Sequence, residues 1–298
     1  AFRAVSALGD PDGDAVAGLA AGVPGDDAGG TDAGKTFVVL SVTAVGTSWL
    51  STEAGATWRG EYAGDAAGTV VLAGRDLSGD GVGDLLVGAP GADWSATDGG
   101  TLYMAYGPFG GGSVLSAADL SIDGTRDGGG LGSGALAVGD LDGDGRNDIA
   151  VADAGHDLGG TEAGAVFVLD GGLTGAVDTS NAYFRADGSA GDALGRSLAA
   201  ADIDGDGDED LLVGVPGYDG VATDAGTVAV FTGYLPSSTV SMGSASALYT
   251  GASAGDAVAA SLVALGDLDG DGTGDFAVGA PSAEGGLGVF YLLRGGGY

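Results

Sequence analysis

One acidic string recurs five times along this chain, and it constrains the fold more than any other feature. The copies begin 66, 64, 62 and 65 residues apart. They read DPDGDAVAGL from Asp10, DLSGDGVGDL from Asp76, DLDGDGRNDI from Asp140, DIDGDGDEDL from Asp202 and DLDGDGTGDF from Asp267. A repeat of this length suits one four-stranded blade of a β-propeller, so we interpret each copy as the start of a blade.

The remainder of each repeat predicts strands and almost no helix. A short apolar run follows each acidic string, such as LLVGAPG at 85–91, and reads as a buried strand. A β-branched and aromatic run such as TLYMAY at 101–106 comes next, and a further strand is clear at AYFRA (182–186) but not in blade two. We therefore expect an all-β fold, a single β-propeller domain over 1–298 with about five four-stranded blades. The approximate repeats are 1–62, 63–125, 126–187, 188–252 and 253–298.

The first four residues suggest how the ring closes. Ala1-Phe2-Arg3-Ala4 resembles the outer strand AYFRA of blade three, and the last blade ends soon after its third strand. We expect this N-terminal segment to form the outer strand of the last blade, because closure hides a sheet edge that otherwise invites aggregation.

The acidic string has the pattern of a calcium loop. Asp140, Asp142 and Asp144 stand at positions one, three and five, Arg146 at position seven offers its backbone carbonyl, and Asp148 stands at position nine. Calcium takes about six to eight oxygen ligands in a flexible loop, and glycines at positions four and six let the backbone turn. Zinc is disfavoured by one His and no Cys. An EF-hand is excluded because position twelve is an apolar strand residue instead of Glu.

One calcium ion per loop is expected, four to five in total, and the loops are unequal. Blade two has Ser78 at position three, a weaker ligand, while blade one has Ala15 and Gly18 at positions six and nine and should bind most weakly. The candidate ligands are Asp10, Asp12, Asp14, Asp76, Ser78, Asp80, Val82, Asp84, Asp140, Asp142, Asp144, Arg146, Asp148, Asp202, Asp204, Asp206, Asp208, Asp210, Asp267, Asp269, Asp271, Thr273 and Asp275.

Charge and hydropathy limit the partners. The chain has 42 acidic and 9 basic residues, a net charge of −33, so nucleic acid would be repelled. No apolar run reaches the roughly 18 residues of a membrane span. The sequence begins at Ala1 instead of Met, which favours a mature secreted protein located outside the cell or at its surface.

The sequence offers no catalytic set. The single His, His156, lies in a Gly-rich turn and is expected at the surface, and a G-x-S-x-G element is absent. Trp49, Trp58 and Trp94 are candidates for stacking on a glycan, although Trp58 lies in a predicted strand and is expected in the core. We therefore expect a protein that is not an enzyme.

The combined motifs resemble the FG-GAP repeat of integrin α-subunit propellers and their bacterial relatives. Gly88-Ala89-Pro90 and Gly279-Ala280-Pro281 match GAP, while Leu131-Gly132, Leu194-Gly195 and, less well, Ala67-Gly68 stand in the place of FG. The resemblance implies that the Asp loops bind calcium on one face while other loops meet ligands. Integrins use seven blades, whereas this chain has five repeats.

Three functions follow, in order of preference. The first is an extracellular, calcium-stabilised adhesion or ligand-binding module for a protein or glycan. The second is a structural subunit of an extracellular fibre or surface layer, which includes homo-oligomers. The third is the non-catalytic part of an enzyme that degrades polysaccharide or lipid.

Overall fold

The computed structural model describes residues 1–11, 14–42, 54–134 and 136–296. The fold is all-β, and its five sheets are the blades of a β-propeller, as the repeat predicts. In chain order the strands are β1 (Ala4–Gly9), β2 (Gly18–Val23), β3 (Lys35–Val39), β4 (Ala56–Arg59), β5 (Val70–Ala73), β6 (Leu85–Ala89), β7 (Thr101–Ala105), β8 (Gly111–Val114), β9 (Leu120–Asp123), β10 (Leu136–Gly139), β11 (Asp148–Asp153), β12 (Ala165–Leu169), β13 (Gly175–Asp178), β14 (Phe184–Asp187), β15 (Ser197–Ala201), β16 (Asp210–Val215), β17 (Thr227–Phe231), β18 (Ser238–Ser241), β19 (Ala247–Thr250), β20 (Ser261–Gly266), β21 (Asp275–Ala280) and β22 (Val289–Leu293).

Helical structure is confined to single turns in the part of the chain that the structure describes. Short 3-10 turns lie at Leu115–Ala117, Thr179–Asn181 and Met242–Ser244, and one helical turn, α1, spans Ala283–Gly286. No helix within the described ranges has the length and hydropathy of a membrane span.

The chain divides into two compact units. The first comprises Ala1–Ser133 and Gly171–Asn181, and the second comprises Gly134–Asp170 and Ala182–Tyr298. The first unit contains blade one (β1-β2-β3-β4) and blade two (β5-β6-β7-β9), in which neighbouring strands run antiparallel. A fifth strand adds in parallel to each outer strand, β8 to β4 and β13 to β9.

The second unit contains the other three blades. Blade three is β10-β11-β12-β14, and β18 adds in parallel to β14. Blade four is β15-β16-β17-β19, and blade five is β20-β21-β22 among the described residues. Four of the five blades therefore contain the four strands expected from the sequence, and three of these four sheets include an additional parallel strand.

The middle strands form the core because both of their faces are covered. All five or six residues of β6, β7, β11, β12, β16 and β17 are buried. These strands are the continuous apolar runs of the sequence, a pattern typical of sheets covered on both faces. In the second unit, the ring of Phe184 packs edge-on against Phe231, with centroids 5.5 Å apart.

The prediction for the N-terminus is wrong. Residues of β1 pair antiparallel with β2, with Val5 opposite Ala21, and the N–H of Arg3 donates to the carbonyl of Gly22 at 3.0 Å. The segment is thus the inner strand of blade one and not the outer strand of the last blade. An Asp loop joins the first two strands of each blade, so the few residues before Asp10 must supply the first strand.

Candidate metal loops and ligand surface

The Asp at position one of each loop organises the backbone that follows it. In blade three the N–H of Gly143 donates to Asp140 Oδ1 at 2.8 Å, and the N–H of Gly145 donates to Oδ2 at 3.0 Å. Both glycines have left-handed φ angles, 80° and 88°, which residues with a Cβ adopt at a cost. Equivalent bonds to position one form in blades two, four and five.

The Asp at position five closes the second half of the loop. The N–H of Arg146 donates to Asp144 Oδ1 at 2.9 Å, and the N–H of Thr273 donates to Asp271 Oδ1 at the same distance. The position-five carboxylates therefore accept backbone N–H groups of their own loop with one oxygen, Oδ1. Local bonds of this kind hold the acidic side chains in a tight turn.

Three sets of carboxylates meet closely enough to share one ion. In each set, one oxygen from every member lies within 4.8 Å of the others. The sets are Asp140, Asp142 and Asp148 in blade three, Asp202, Asp204 and Asp206 in blade four, and Asp267, Asp269 and Asp271 in blade five. Because all donors are carboxylate oxygens, the residues fit a hard cation such as calcium.

The Asp at position nine has a structural task as well. Asp210 is fully buried; its Oδ2 accepts the N–H of Ile203 at 2.8 Å and its Oδ1 accepts the N–H of Gly233 at 2.9 Å. Asp84 and Asp275 make the same pair of bonds. This side chain therefore ties the start of the Asp loop to the end of the third strand of its own blade.

Crowding of carboxylates is visible in the pKa values of blade four. Burial, together with the charges of Asp204 and Asp206, raises the pKa of Asp210 to about 6, although two backbone N–H groups oppose the shift. Burial and the neighbouring Asp206 and Asp202 also raise the pKa of Asp204. A divalent cation among these oxygens would remove the repulsion that disfavours their ionised forms.

The loop of blade two departs from the others at one ligand. Ser78 stands at position three, and its hydroxyl donates to Asp76 Oδ1 at 3.4 Å. Burial opposes ionisation of Asp76, but three backbone N–H groups outweigh it and lower the pKa of this carboxyl. Asp76, Asp80 and Asp84 do not form one of the close carboxylate sets found among the described residues.

The loop of blade one keeps the same turn with fewer ligands. The N–H of Ala15 donates to Asp10 Oδ2 at 2.9 Å, as the glycine does in the other loops, although Ala15 has φ 67°. A side chain at Gly18, position nine, would place its Cβ 2.6 Å from the carbonyl oxygen of Val39. The backbone therefore leaves no room for the usual Asp. The candidate ligand Asp12 lies outside the described residues.

A second acidic motif follows the second strand in blades one to four, and the sequence alone did not reveal its structural role. In blade four the N–H of Asp224 donates to Asp219 Oδ1 at 2.8 Å, while the carbonyl of Asp224 accepts the N–H of Ala257 at 3.1 Å. The same pairs of bonds recur in blades one, two and three. These acids therefore join two turns of the backbone, and the signal that could have revealed them is the repeated T-[DE]-[AG]-G string.

An aromatic and acidic pocket lies at the end of β6 that is opposite the Asp loop. It has a volume of about 350 Å³ and is lined by Tyr62, Ala63, Asp65, Asp93 and Trp94. The rings of Tyr62 and Trp94 are edge-to-face, with centroids 6.1 Å apart, and both are more than half exposed. Trp94 Nε1 donates to the hydroxyl of Tyr103 at 2.6 Å, which fixes the indole.

The two acids of this pocket are held by backbone bonds. Asp65 Oδ2 accepts the N–H groups of Glu61 and Tyr62 at 3.0 and 2.9 Å, and Asp93 Oδ1 accepts the N–H of Asp98. Burial, offset in part by these bonds, raises the pKa of Asp65. Of the other tryptophans, Trp58 is partly buried against the core as expected, and Trp49 lies outside the described residues.

His156 is buried, so its prediction as a surface residue is wrong. Its Nδ1 lies 3.3 Å from Asp153 Oδ2, and its Nε2 lies 2.8 Å from Arg185 Nη2. Because an Arg only donates, Nε2 must accept, which leaves the proton on Nδ1 facing Asp153. The Gly-rich turn after β11 folds inward here, and the His ring packs edge-on against Phe167 with centroids 5.6 Å apart.

Comparison with known proteins agrees with this fold. The family model described as FG-GAP repeat matches four segments, residues 67–103, 134–169, 194–231 and 259–293. Four segments of this β-propeller thus match FG-GAP repeats, and the sequence of the chain is similar to that of integrin α subunits.

Three relatives and one solved structure illustrate the similarity. Human integrin alpha-IIb is 40% identical over 49% of this chain and 14% of its own length, and integrin alpha-PS2 of Drosophila melanogaster is 31% identical over 64% and 14%. Phosphatidylinositol-glycan-specific phospholipase D of Rattus norvegicus is 37% identical over 54% of this chain and 20% of its own length. The chain therefore corresponds to at most a fifth of these relatives.

The solved structure is the V. cholerae biofilm matrix protein Bap1. The two chains share 21% identity with a TM-score of 0.34, over 76% of this chain and 37% of the other. This score is too low to compare their sites.

Proposed function

We propose that this chain is a calcium-stabilised, non-catalytic ligand-binding module of an extracellular or cell-surface protein. The observation that carries the ligand-binding part is the pocket of Tyr62, Trp94, Asp65 and Asp93, formed by turns at the end of β6 away from the Asp loop. A rigid scaffold that presents such a pocket on its loops is typical of binding proteins.

Calcium is proposed to be bound by the Asp loops, one ion in each. Blades three, four and five each offer three carboxylates that meet closely, blade two is expected to bind more weakly, and blade one most weakly. The backbone carbonyls of Val82, Arg146, Asp208 and Thr273 at position seven would add an oxygen ligand. The bound ion supplies charge that holds the carboxylates together, so its binding free energy adds to the free energy of unfolding.

A glycan is the ligand that the pocket fits best. An exposed indole fixed by a hydrogen bond offers an apolar face for a sugar ring, and two immobilised carboxylates accept hydrogen bonds from sugar hydroxyls. A protein ligand would use the same surface through a basic side chain, which the net charge of −33 would attract. The same charge opposes binding of nucleic acid.

A binding screen tests the ligand-binding proposal. The wild-type chain is applied to a glycan array in calcium, and hits are measured again with Trp94→Ala and Tyr62→Ala. Loss of one stacking ring should weaken binding by at least tenfold, about 1.4 kcal/mol. Phe2→Ala, which removes an exposed aromatic side chain outside the pocket, should bind as wild type. Unchanged binding by both pocket variants would contradict the proposed site.

A non-catalytic role is supported by how the potential catalytic groups are used. Both nitrogens of His156 have partners inside the fold, and the acids at position nine are bonded to backbone N–H groups. Since one relative is by name a phospholipase, a role beside a catalytic domain that acts on lipid or polysaccharide is the third candidate. Hydrolysis of either substrate by this chain alone would contradict the non-catalytic role.

A structural subunit of a fibre or surface layer is the second candidate, and blade five favours it. Leu287, Phe290 and Leu292 are 88%, 75% and 56% exposed. Phe290 and Leu292 lie on β22 and Leu287 lies just before it, and exposed apolar side chains grouped in this way are typical of contact surfaces between proteins. Sedimentation in calcium distinguishes this candidate, because a subunit would form polymers and a binding module would remain a monomer.

A further inference from the structure

A second pocket, in the sheet of blade one, is lined by positively charged side chains. It has a volume of about 510 Å³, and its lining includes Lys35 of β3, Thr57 and Arg59 of β4, and Gly112 and Ser113 of β8. The whole chain has 9 basic residues against 42 acidic ones. Two bases beside one pocket therefore form a local positive surface on a strongly acidic protein.

The two basic residues face each other directly across neighbouring strands. Lys35 and Arg59 are register partners in the antiparallel pair of β3 and β4. Like charges at directly opposed positions of a sheet repel each other and lower the free energy of unfolding. An anion placed between the two side chains would offset this repulsion, because it attracts both of them.

The same position carries no pair of bases in the other four-stranded blades. The corresponding register partners are Thr101 with Asp123 in blade two, Ala165 with Asp187 in blade three, and Thr227 with Thr250 in blade four. In blades two and four the partners are joined by hydrogen bonds of 2.9 and 3.1 Å between their side chains. The fold of a blade therefore does not require the two cations, and their presence in blade one needs another reason.

Nearby groups neutralise the two cations unequally. Lys35 Nζ lies 3.5 Å from Asp26 Oδ1, an oxygen that also accepts the N–H of Ala28 at 3.0 Å. The same ammonium lies 5.4 Å from the ring centroid of Phe37, a favourable contact of a cation with an aromatic ring. Arg59 has no ion pair or side-chain hydrogen bond within the part of the chain that the structure describes. Its exposed guanidinium therefore keeps its donors available for a ligand.

The chemistry of the pocket suits an anion of the carboxylate or sulfate type. A guanidinium offers paired N–H groups that match two oxygens of such a group, while an ammonium adds a compact positive charge. Thr57 lies two residues before Arg59 and thus on the same face of β4, where its hydroxyl can bond a neighbouring polar group of the ligand. The net charge of −33 opposes an extended polyanion, so the pocket favours a ligand with one acidic group.

We propose that this pocket binds the acidic group of a small ligand, a carboxylate or sulfate on a compound of the size of one sugar residue. The guanidinium of Arg59 bonds two oxygens of the group, Lys35 supplies the second positive charge, and Thr57 bonds a hydroxyl of the ligand. The bound anion replaces the repulsion between the two bases by attraction to a common partner. The site is separate from the pocket of Tyr62 and Trp94 and does not depend on the function proposed for that pocket.

Titration with acidic sugars tests this site. The wild-type chain, in calcium and at constant ionic strength, is titrated with glucuronate and separately with glucose 6-sulfate, and glucose serves as the neutral comparison. Binding is followed by the nuclear magnetic resonance shifts of the β3 and β4 amides and of the Arg59 side chain. At least one of the two acids should produce saturable shifts there, and glucose should bind at least tenfold more weakly.

Three variants that each remove one positive charge make the test specific. Arg59→Gln and Lys35→Gln should each weaken binding of the acid by at least tenfold. Arg3→Gln removes the same charge from an exposed residue outside the pocket and should bind as wild type. Arg59 is exposed as well, so its variant should remain folded.

Several results would overturn the proposal. These are equal binding of glucose, equal binding by Arg59→Gln and wild type, an equal loss of binding in Arg3→Gln, and saturable shifts confined to other strands. The absence of any shift with both acids at tens of millimolar would overturn it as well.

Discussion

At the scale of single residues, the loop of blade one contains a strained backbone position. Ala15 adopts φ 67° where the other loops have Gly, because Asp10 still organises the turn through its N–H. A residue with a Cβ in this region costs about 1 kcal/mol relative to Gly. The position was visible in the sequence as a departure from the repeat, but the preserved turn was not.

Ala15→Gly should therefore stabilise the chain by about 1 kcal/mol, measured by denaturant unfolding in chelator. Ala17→Gly, two residues away and without a left-handed φ, should destabilise it by about 0.5–1 kcal/mol through the entropy of the unfolded chain. A loss of stability in both variants would show that position six is not strained.

The buried group around His156 gives the second prediction at this scale. His156→Ala should lower the free energy of unfolding by about 3 kcal/mol, because Asp153, 1% exposed, would lose the partner of its carboxylate. Leu158→Ala, at a residue of the same turn that is 59% exposed, should change it by less than about 0.5 kcal/mol. Similar effects in both variants would argue against the buried pair.

At the scale of elements, the sequence predicted the strands that are apolar and that pair within their own repeat. β6, β11, β16 and β21 follow directly from apolar runs bounded by the Asp loop and the next turn. The fifth strands β8, β13 and β18 were missed, because their partners belong to the preceding repeat. Their sequences, such as GGSV and STVS, are short and polar and carry no periodic signal.

The outer strand of blade two was missed for a related reason. β9 has the sequence LSID, without the aromatic residue that marked the outer strands of the other repeats, yet Leu120 and Ile122 are buried. The reverse error occurred at the N-terminus, where an aromatic match suggested an outer strand. The amino-acid composition of a segment therefore predicted poorly which strand of the blade it forms. The number of residues between the segment and the Asp loop would have predicted this better.

The tie made by position nine is testable at the same scale. Asp210→Ala should lower the free energy of unfolding in chelator by about 2 kcal/mol, because the N–H groups of Ile203 and Gly233 lose a buried acceptor. The neighbouring Asp208 hydrogen-bonds the side chain of Tyr234, which is 56% exposed, so Asp208→Ala should lower the free energy of unfolding in chelator by less than about 0.5 kcal/mol. If both variants unfold like wild type, the tie does not stabilise the blade.

At the scale of the whole molecule, the acids should make calcium-free stability depend on pH. Burial raises the pKa of Asp84, Asp123 and Asp192 above the ordinary 3.8, and that of Asp210 to about 6. A raised folded-state pKa means that the folded chain holds these protons more tightly than the unfolded chain. These groups therefore add to the free energy of unfolding of the calcium-free chain at low pH, and this contribution is lost as pH rises from about 4 to about 6.

Melting in chelator at pH 4.5, 5.5 and 7 checks this expectation. The melting temperature should fall across the series, and calcium should reverse the trend because the ion binds the ionised carboxylates. A melting temperature in chelator that rises steadily from pH 4.5 to 7 would contradict the assigned direction.

The most direct test of the central claim is the melting temperature of the wild-type chain with and without calcium at pH 7. Each occupied loop adds about 2.7 kcal/mol at a calcium concentration one hundred times its Kd. Binding of calcium to several loops should raise the melting temperature by more than about 10 °C. Magnesium should raise it much less. An identical melt in calcium and in chelator would contradict the claim that these aspartate loops hold structural ions.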